Sequence, residues 1–229
     1  MIKQKINNIL EALKLKRYEI SKEDIKKLII KEDPLILEIG CNNGTDTLEF
    51  LNTFSKANIH CFEPDPRAIE KFKEKINEER CKLWELAISN IDGETSFHLS
   101  GGKDPYGKMD DWDQSSSIKN PKKHLEKFPW CKFDKEIKVK TRRLDTWAEN
   151  NMIGNIDFIW ADVQGAEREL IEGGLKVLNN TNYLYIEFYD EEMYEGQLNL
   201  KDMLCLLPQF EIVKKFGNNV LLKNKVYKE

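Results

Sequence analysis

A short apolar run that stops in an acid and two glycines constrains this chain more than any other feature. Residues 35–44 read Leu-Ile-Leu-Glu-Ile-Gly-Cys-Asn-Asn-Gly. Leu35, Ile36, Leu37 and Ile39 suit a strand buried on both faces, as in a parallel sheet. Gly40 and Gly44 then allow a sharp turn and a close backbone approach to a ligand, which a Cβ would block. A helical pattern resumes from Thr45 to Phe54. The unit is therefore strand, glycine loop, helix, with the loop at the carboxyl end of a strand, where open α/β sheets bind ligands. A nucleotide-like cofactor is the expected occupant.

The spacing narrows the choice of cofactor. A dinucleotide fingerprint reads Gly-x-Gly-x-x-Gly, but Asn42 stands where its second glycine belongs. What remains, Glu38 to Gly44, is Glu-x-Gly-x-x-x-Gly, and its acid suits a cationic or hydrogen-bond-donating ligand better than a phosphate. This resembles the first motif of class I methyltransferases, which use S-adenosylmethionine. In that group the glycine loop passes under the methionine moiety and the acid lies near its amino group. A second run, Ile59-His60-Cys61-Phe62-Glu63, places Glu63 at a strand end about 20 residues further on, where ribose recognition calls for an acceptor. Pro64 and Pro66 end that strand and open a helix whose apolar positions are Ile69, Phe72 and Ile76.

At 229 residues the chain is most simply one domain: a helical cover over 1–32 and a catalytic domain over 33–229. Asp and Glu outnumber Lys and Arg by 40 to 36, so no basic field draws in DNA. Basic stretches at Lys119–Lys127 and Lys135–Arg143 keep RNA in consideration. The five cysteines are scattered without zinc spacing, which favours reduced thiols and a cytoplasmic protein. Residues 1–30 are too charged for a signal peptide, and no run reaches the ~20 apolar residues of a membrane span.

Ile2, Ile6, Ile9, Leu10 and Leu13 form one amphipathic stripe, and Ser21 with Asp24 caps a second helix. A third strand is expected over Lys82–Ile88 and an edge strand over Thr95–Leu99. Residues 100–134 are rich in Gly, Pro and Ser yet carry Tyr106, Trp112, Phe128 and Trp130, which reads as a substrate-side cap. Strands at Lys135–Arg143, Ile156–Trp160 and Tyr183–Phe188 alternate with helices at 144–151, 165–178 and 198–207. Two last strands, near 210–215 and 220–223, make a terminal hairpin. The alternation predicts a Rossmann-like, doubly wound, mostly parallel seven-stranded sheet.

The most specific pattern is Leu144-Asp145-Thr146-Trp147, then Ile156 to Glu167 with its Asp-Val-Gln-Gly-Ala-Glu run, then Tyr185-Ile186-Glu187-Phe188. Together with the Glu38–Gly44 loop, Phe62-Glu63-Pro64, Ala87-Ile88-Ser89-Asn90 and Asp92-Gly93, it resembles the FkbM family of methyltransferases over about residues 33–190. The resemblance implies methyl transfer from S-adenosylmethionine, usually to an oxygen of a natural product, sugar or glycan. On this reading Glu38, Gly40, Asn42, Gly44, Glu63, Pro64 and the Ala87, Ile88, Ser89, Asn90 segment bind the cofactor, with adenine against the last four.

Transfer to a neutral hydroxyl requires alignment and removal of a proton, hence a base or a metal. Asp162, at the end of the fourth parallel strand, is the first candidate and Glu187, at the next strand end, the second. Glu167 reads as a helix-start acid favoured by the dipole, His98 as a structural strand residue and His124 as solvated. No dense cluster announces a metal, so divalent-metal dependence stays open. The competing readings are a cofactor-binding module without catalysis and an RNA methyltransferase. Base-amine methylation usually calls for a Pro-Pro-aromatic run at the fourth strand end, where this chain has Ala-Asp-Val-Gln.

Overall fold

The computed structural model describes residues 19–103, 105 and 111–227. The Ile2–Leu13 stripe and Tyr106 lie outside the described residues. Strand β1 (Leu35–Ile39) is the third strand of a seven-stranded sheet. It pairs in parallel with β2 (Asn58–Phe62) on one side and β7 (Ile156–Ala161) on the other. Beyond them, also parallel, lie β3 (Cys81–Trp84) and β8 (Thr181–Glu187). An antiparallel pair, β10 (Asn219–Asn224) and β9 (Phe210–Phe216), finishes the β8 edge, giving the order β3-β2-β1-β7-β8-β10-β9.

Period-2 alternation explains why this sheet is covered on both faces. Leu37, Ile39, Ile159, Leu184 and Ile186 point into one core cluster; Ile36, Phe158, Trp160, Tyr183 and Tyr185 point into the other. Helix α5 (Leu144–Asn150), α6 (Glu167–Gly173), α7 (Leu175–Asn179) and α8 (Leu200–Leu206) cover the first face. The second is covered by α1 (Lys22–Leu28), α2 (Thr45–Thr53) and Phe72 of α3 (Pro66–Lys75). The Ser21 hydroxyl accepts from Asp24 N at the start of α1, the expected cap.

Two expected elements are divided. The strand expected over 82–88 is β3 plus β4 (Ala87–Ser89), because the chain folds back at Leu86, whose N–H donates to Trp84 O. β4 belongs to a separate three-stranded sheet with β6 (Lys132–Arg143) and β5 (Gly93–Gly101), ordered β4-β6-β5. The helix expected over 165–178 breaks into α6 and α7 at Gly173 and Gly174. A Cβ on Gly173 would stand 2.0 Å from the Ser89 carbonyl oxygen, so α6 lies directly on β4.

The 100–134 segment carries α4 (Lys123–Lys127) and is laced to its surroundings. Ser117 exchanges backbone hydrogen bonds with His98, and Pro121 forms a bridge to Tyr194. Arg67, in the first turn of α3, donates to Asp111 Oδ2, the Ser100 carbonyl and the Ser116 hydroxyl, and Lys71 donates to Asp113 at 2.5 Å. The insertion is thus a roof anchored to α3.

At the sheet centre the chain runs outward from β1 to β2 and β3, then returns to β7 on the other side of β1. Gly40 marks that reversal. Its φ is +87°, and a Cβ there would lie 1.8 Å from the Asp162 carbonyl oxygen. The glycine predicted to admit a ligand is required first by the adjoining strand. Gly40→Ala should therefore cost more than about 3 kcal/mol, combining left-handed strain with overlap against backbone. A denaturant midpoint equal to wild type would refute this account.

Candidate active site

The reversal of strand order opens a cavity of about 990 Å³ at the carboxyl ends of β1, β2 and β7. Its floor is the β1 loop, Gly40 to Asn43, with Glu63 and Pro64 from the end of β2. Leu86, Ala87 and Ile88 form one side, and Asp162 to Gln164 another. The roof is the insertion, from Trp112 to Ile118, with His124, Phe128 and Trp130, joined by Met193 and Tyr194.

Loop and β2 end are tied together at Glu63. Its two carboxylate oxygens accept from the backbone N–H groups of Asn42 and Asp65, each at 2.8 Å. Asn42 adopts φ +44°, and its side-chain amide reaches the Asp113 carbonyl at 3.4 Å. Burial pushes the Glu63 carboxyl up to about 8, against the pull of the two N–H donors. Each oxygen keeps acceptor capacity toward the cavity.

Several expected cofactor residues lie elsewhere. Glu38 is absent from the cavity wall: it shares the Ile36 face of β1, is 1% exposed, and accepts from the Thr47 hydroxyl at 2.6 Å beneath α2. Burial drives its carboxyl up to about 8, so it is a core hydrogen-bonding group. Gly44 is also outside the wall; a Cβ there would meet the Phe72 ring at 2.7 Å, and its φ of +73° serves the start of α2. Ala87 and Ile88 reach the cavity, whereas Ser89 and Asn90 turn away. Ser89 is pinned against Gly173, and the Asn90 amide donates to Glu172.

Asp162 and Glu187 are brought together, as expected, through a residue the motif contains but sequence reasoning passed over. The Gln164 amide donates to Asp162 Oδ1 at 2.5 Å and lies 3.5 Å from Glu187 Oε2. Gln164 Oε1 accepts from the Tyr194 hydroxyl, and its backbone carbonyl accepts from Ser117 Oγ at 2.6 Å. Its φ of +49° is strained for a non-glycine residue, which aims one side chain at three partners. Asp162 lines the cavity, while Glu187 stands behind it.

Glu167 is a third carboxyl group at this corner. It does begin α6, but it is fully buried, accepting from Gly165 N at 3.0 Å and from the Gln197 amide at 3.4 Å. Burial raises it to about 7. Burial also raises Asp162 and raises Glu187 much further, the latter with the added charges of Asp162 and Glu167. A close carboxyl pair retains one proton between its members, and Glu187 is the better holder.

The histidines divide. His98 stays in β5, paired by backbone with Ser117 and outside the wall. His124 is not solvated as expected: it is 5% exposed, lines the cavity and packs against Phe128, Phe133 and Tyr194. Desolvation lowers it to about 4, so it is neutral at physiological pH. No group of three or more His, Cys, Asp or Glu placed to hold a metal ion occurs among the described residues. Among them, too, no helix is long and apolar enough to cross a membrane.

One property unites the wall. Glu19, Asp46, Glu49, Glu63, Asp113 and Asp162 all contribute to it, and among the described residues no Lys or Arg does. Nothing in the sequence order announces this, since Asp113 and Tyr194 come from segments with no motif.

Parallel strands closed by an antiparallel hairpin, with an acidic cavity at the point of reversal, make a Rossmann-like fold with a ligand-sized site at its switch point. Residues 38–219 match the model of the methyltransferase FkbM domain, so the chain belongs to the FkbM family and is an S-adenosylmethionine-dependent methyltransferase. It is 46% identical over 205 residues to the 2-O-methyltransferase NoeI of Sinorhizobium fredii (strain NBRC 101917 / NGR234), covering 87% of this chain and 83% of that protein. Among solved structures it is similar to an rRNA methylase from Streptococcus thermophilus, at 12% identity and TM-score 0.45, over 88% of this chain and 93% of that one. It is also similar to Aeropyrum pernix fibrillarin with natively bound S-adenosylmethionine, at 13% identity and TM-score 0.45, over 90% and 74% of the two chains.

The carboxyl raised to about 8 at Glu38 has a measurable consequence. The folded state holds that proton while the unfolded state releases it near 4.5, so folding stability falls as pH rises between those values. Glu38→Gln should remove that part of the loss. Its melting temperature relative to wild type should be higher at pH 9 than at pH 5, and a difference independent of pH would contradict the assignment.

Proposed function

We propose that this enzyme methylates a hydroxyl group of an uncharged, sugar-like acceptor held between the carboxylate corner and the insertion. The observation that carries the acceptor class is the wall itself, with six carboxyl groups and no cation among the described residues. Such a field disfavours phosphates, sulfates and nucleic-acid backbones, which proteins bind with Lys and Arg. It thereby argues against the RNA reading. The aromatic roof, where Trp112 and Trp130 meet edge to face at 5.2 Å, offers apolar surface for a sugar ring. The similarity to a 2-O-methyltransferase supports a hydroxyl acceptor.

In this reading S-adenosylmethionine supplies an electrophilic methyl on a sulfonium, a cation suited to the acidic cavity. The Gly40–Asn43 backbone supports it from below, and Glu63, backed by Pro64, accepts hydrogen bonds from the ribose. Leu86, Ala87 and Ile88 provide the apolar side for adenine. Asp162 takes the proton of the acceptor hydroxyl as the new oxygen–methyl bond forms and the methyl–sulfur bond breaks. Gln164 holds its carboxylate in place, and Glu187, keeping its own proton, prevents the corner from carrying two charges. Residues 100–134 form the acceptor-side cap, with neutral His124 available as a hydrogen-bonding partner.

Asp162→Asn keeps the shape and removes the base. Turnover should fall by roughly 10²- to 10⁴-fold, with cofactor affinity retained. Its melting temperature should be unchanged or higher, because a carboxyl raised by burial opposes folding when ionised. EDTA should leave wild-type activity intact; loss restored by Mg²⁺ or Mn²⁺ would make Asp162 a metal ligand instead. A panel of labelled-methyl acceptors should favour neutral saccharides over phosphorylated or sulfated ones. Preferential labelling of RNA or anionic glycans would sink the acceptor assignment.

A further inference from the structure

Asp113 lies in the roof, yet its surroundings belong to the floor. Its residue is 3% exposed and lines the cavity. Its Oδ2 accepts from Lys71 on α3 at 2.5 Å, and its backbone carbonyl receives the side-chain amide of Asn42. Asn42, through its own N–H, is a partner of Glu63. The remaining oxygen, Asp113 Oδ1, is buried and has no hydrogen-bond partner among the described residues. A buried carboxylate oxygen left without a donor is costly in a folded protein. Asp113 belongs to the same cavity lining as Glu63 and is near enough for its charge to act on that carboxyl.

We propose that Asp113, delivered by the insertion, is a second carboxylate of the cofactor site and accepts a hydrogen bond from a ribose hydroxyl. The inference rests on the assignment of Glu63 to the ribose. Lys71 occupies Asp113 Oδ2, leaving Oδ1 for a donor that the described residues do not provide. The donor must be uncharged or cationic and rich in O–H or N–H, which the nucleoside of S-adenosylmethionine is. The insertion thereby contributes to both ends of the cavity, since the same stretch, Trp112 to Ile118, continues into the aromatic roof. One segment therefore meets the cofactor and frames the acceptor.

The test is calorimetric titration with S-adenosylhomocysteine and with its 2′-deoxy, 3′-deoxy and N6-methyl forms. Wild type should bind one deoxy form about 10- to 100-fold more weakly, as expected for a lost hydrogen bond to a charged group. Asp113→Asn should bind S-adenosylhomocysteine more weakly and lose part of that discrimination. Lys71→Met, which breaks the anchor and leaves the carboxylate, should keep it. Glu63→Gln separates the two assignments: if it weakens binding and Asp113→Asn does not, the role of Asp113 is overturned and the ribose site stands. If neither matters, the ribose site itself is misplaced. Equal losses for hydroxyl and deoxy ligands in both Asp113→Asn and Lys71→Met, with lowered melting temperatures, would make Asp113 a structural anchor only. Discrimination confined to the N6-methyl form would move the contact to adenine and refute the ribose assignment.

Discussion

Everything at this site depends on how closely two parallel strands run at the centre of the sheet. Ile39 O accepts from Asp162 N at 2.9 Å, and the next residue of β1 has no room for a side chain beside the Asp162 carbonyl. Because the contact is backbone against backbone, it cannot relax by a rotamer change. It sends the β1 loop toward β2, where Asn42 meets Glu63, and sends the chain after β7 the other way into the Gln164 turn. The cavity is the wedge between these two departures, and the site residues of both halves take their positions from it.

The carboxyl groups around that wedge are held by donors rather than by opposite charges. Glu63 has two backbone N–H groups, Glu167 has one and an amide, and Asp162 and Glu187 share the Gln164 amide. Neutral donors orient these carboxyl groups, while burial raises Glu63, Glu167, Asp162 and Glu187 toward their protonated forms. Two wall acids are the exceptions, Asp113 with Lys71 and Asp46 with Lys22, and both lysines lie outside the wall.

The sheet was legible in the sequence because its strands are short apolar runs bounded by glycine, proline or acids. β1, β7, β8 and the final hairpin stand where periodicity places them. Divisions were not legible where tertiary contact decides: nothing in Lys82–Ile88 marks the fold-back at Leu86, and Gly173 breaks a helical pattern because β4 lies against it. At the site, Glu63, Asp162 and Glu187 follow from strand ends. Glu38 lies off the cavity wall because strand parity, not motif membership, decides which face a side chain takes. Gln164 stood inside the most diagnostic run and gave no chemical signal, since its role arises from a left-handed backbone that the sequence does not display. The insertion contributes through packing between distant segments, which no local pattern encodes.

The sign of the cavity wall has a further consequence, for the end of the catalytic cycle. Methyl transfer converts a sulfonium into a neutral thioether, so the spent cofactor carries one positive charge fewer than the one that entered. On the proposed placement of the cofactor, an acidic wall with no Lys or Arg of its own among the described residues favours the charged form over the discharged one. The same field that gathers the reagent thus loosens its hold once the reaction is over, and turnover acquires a direction from charge alone.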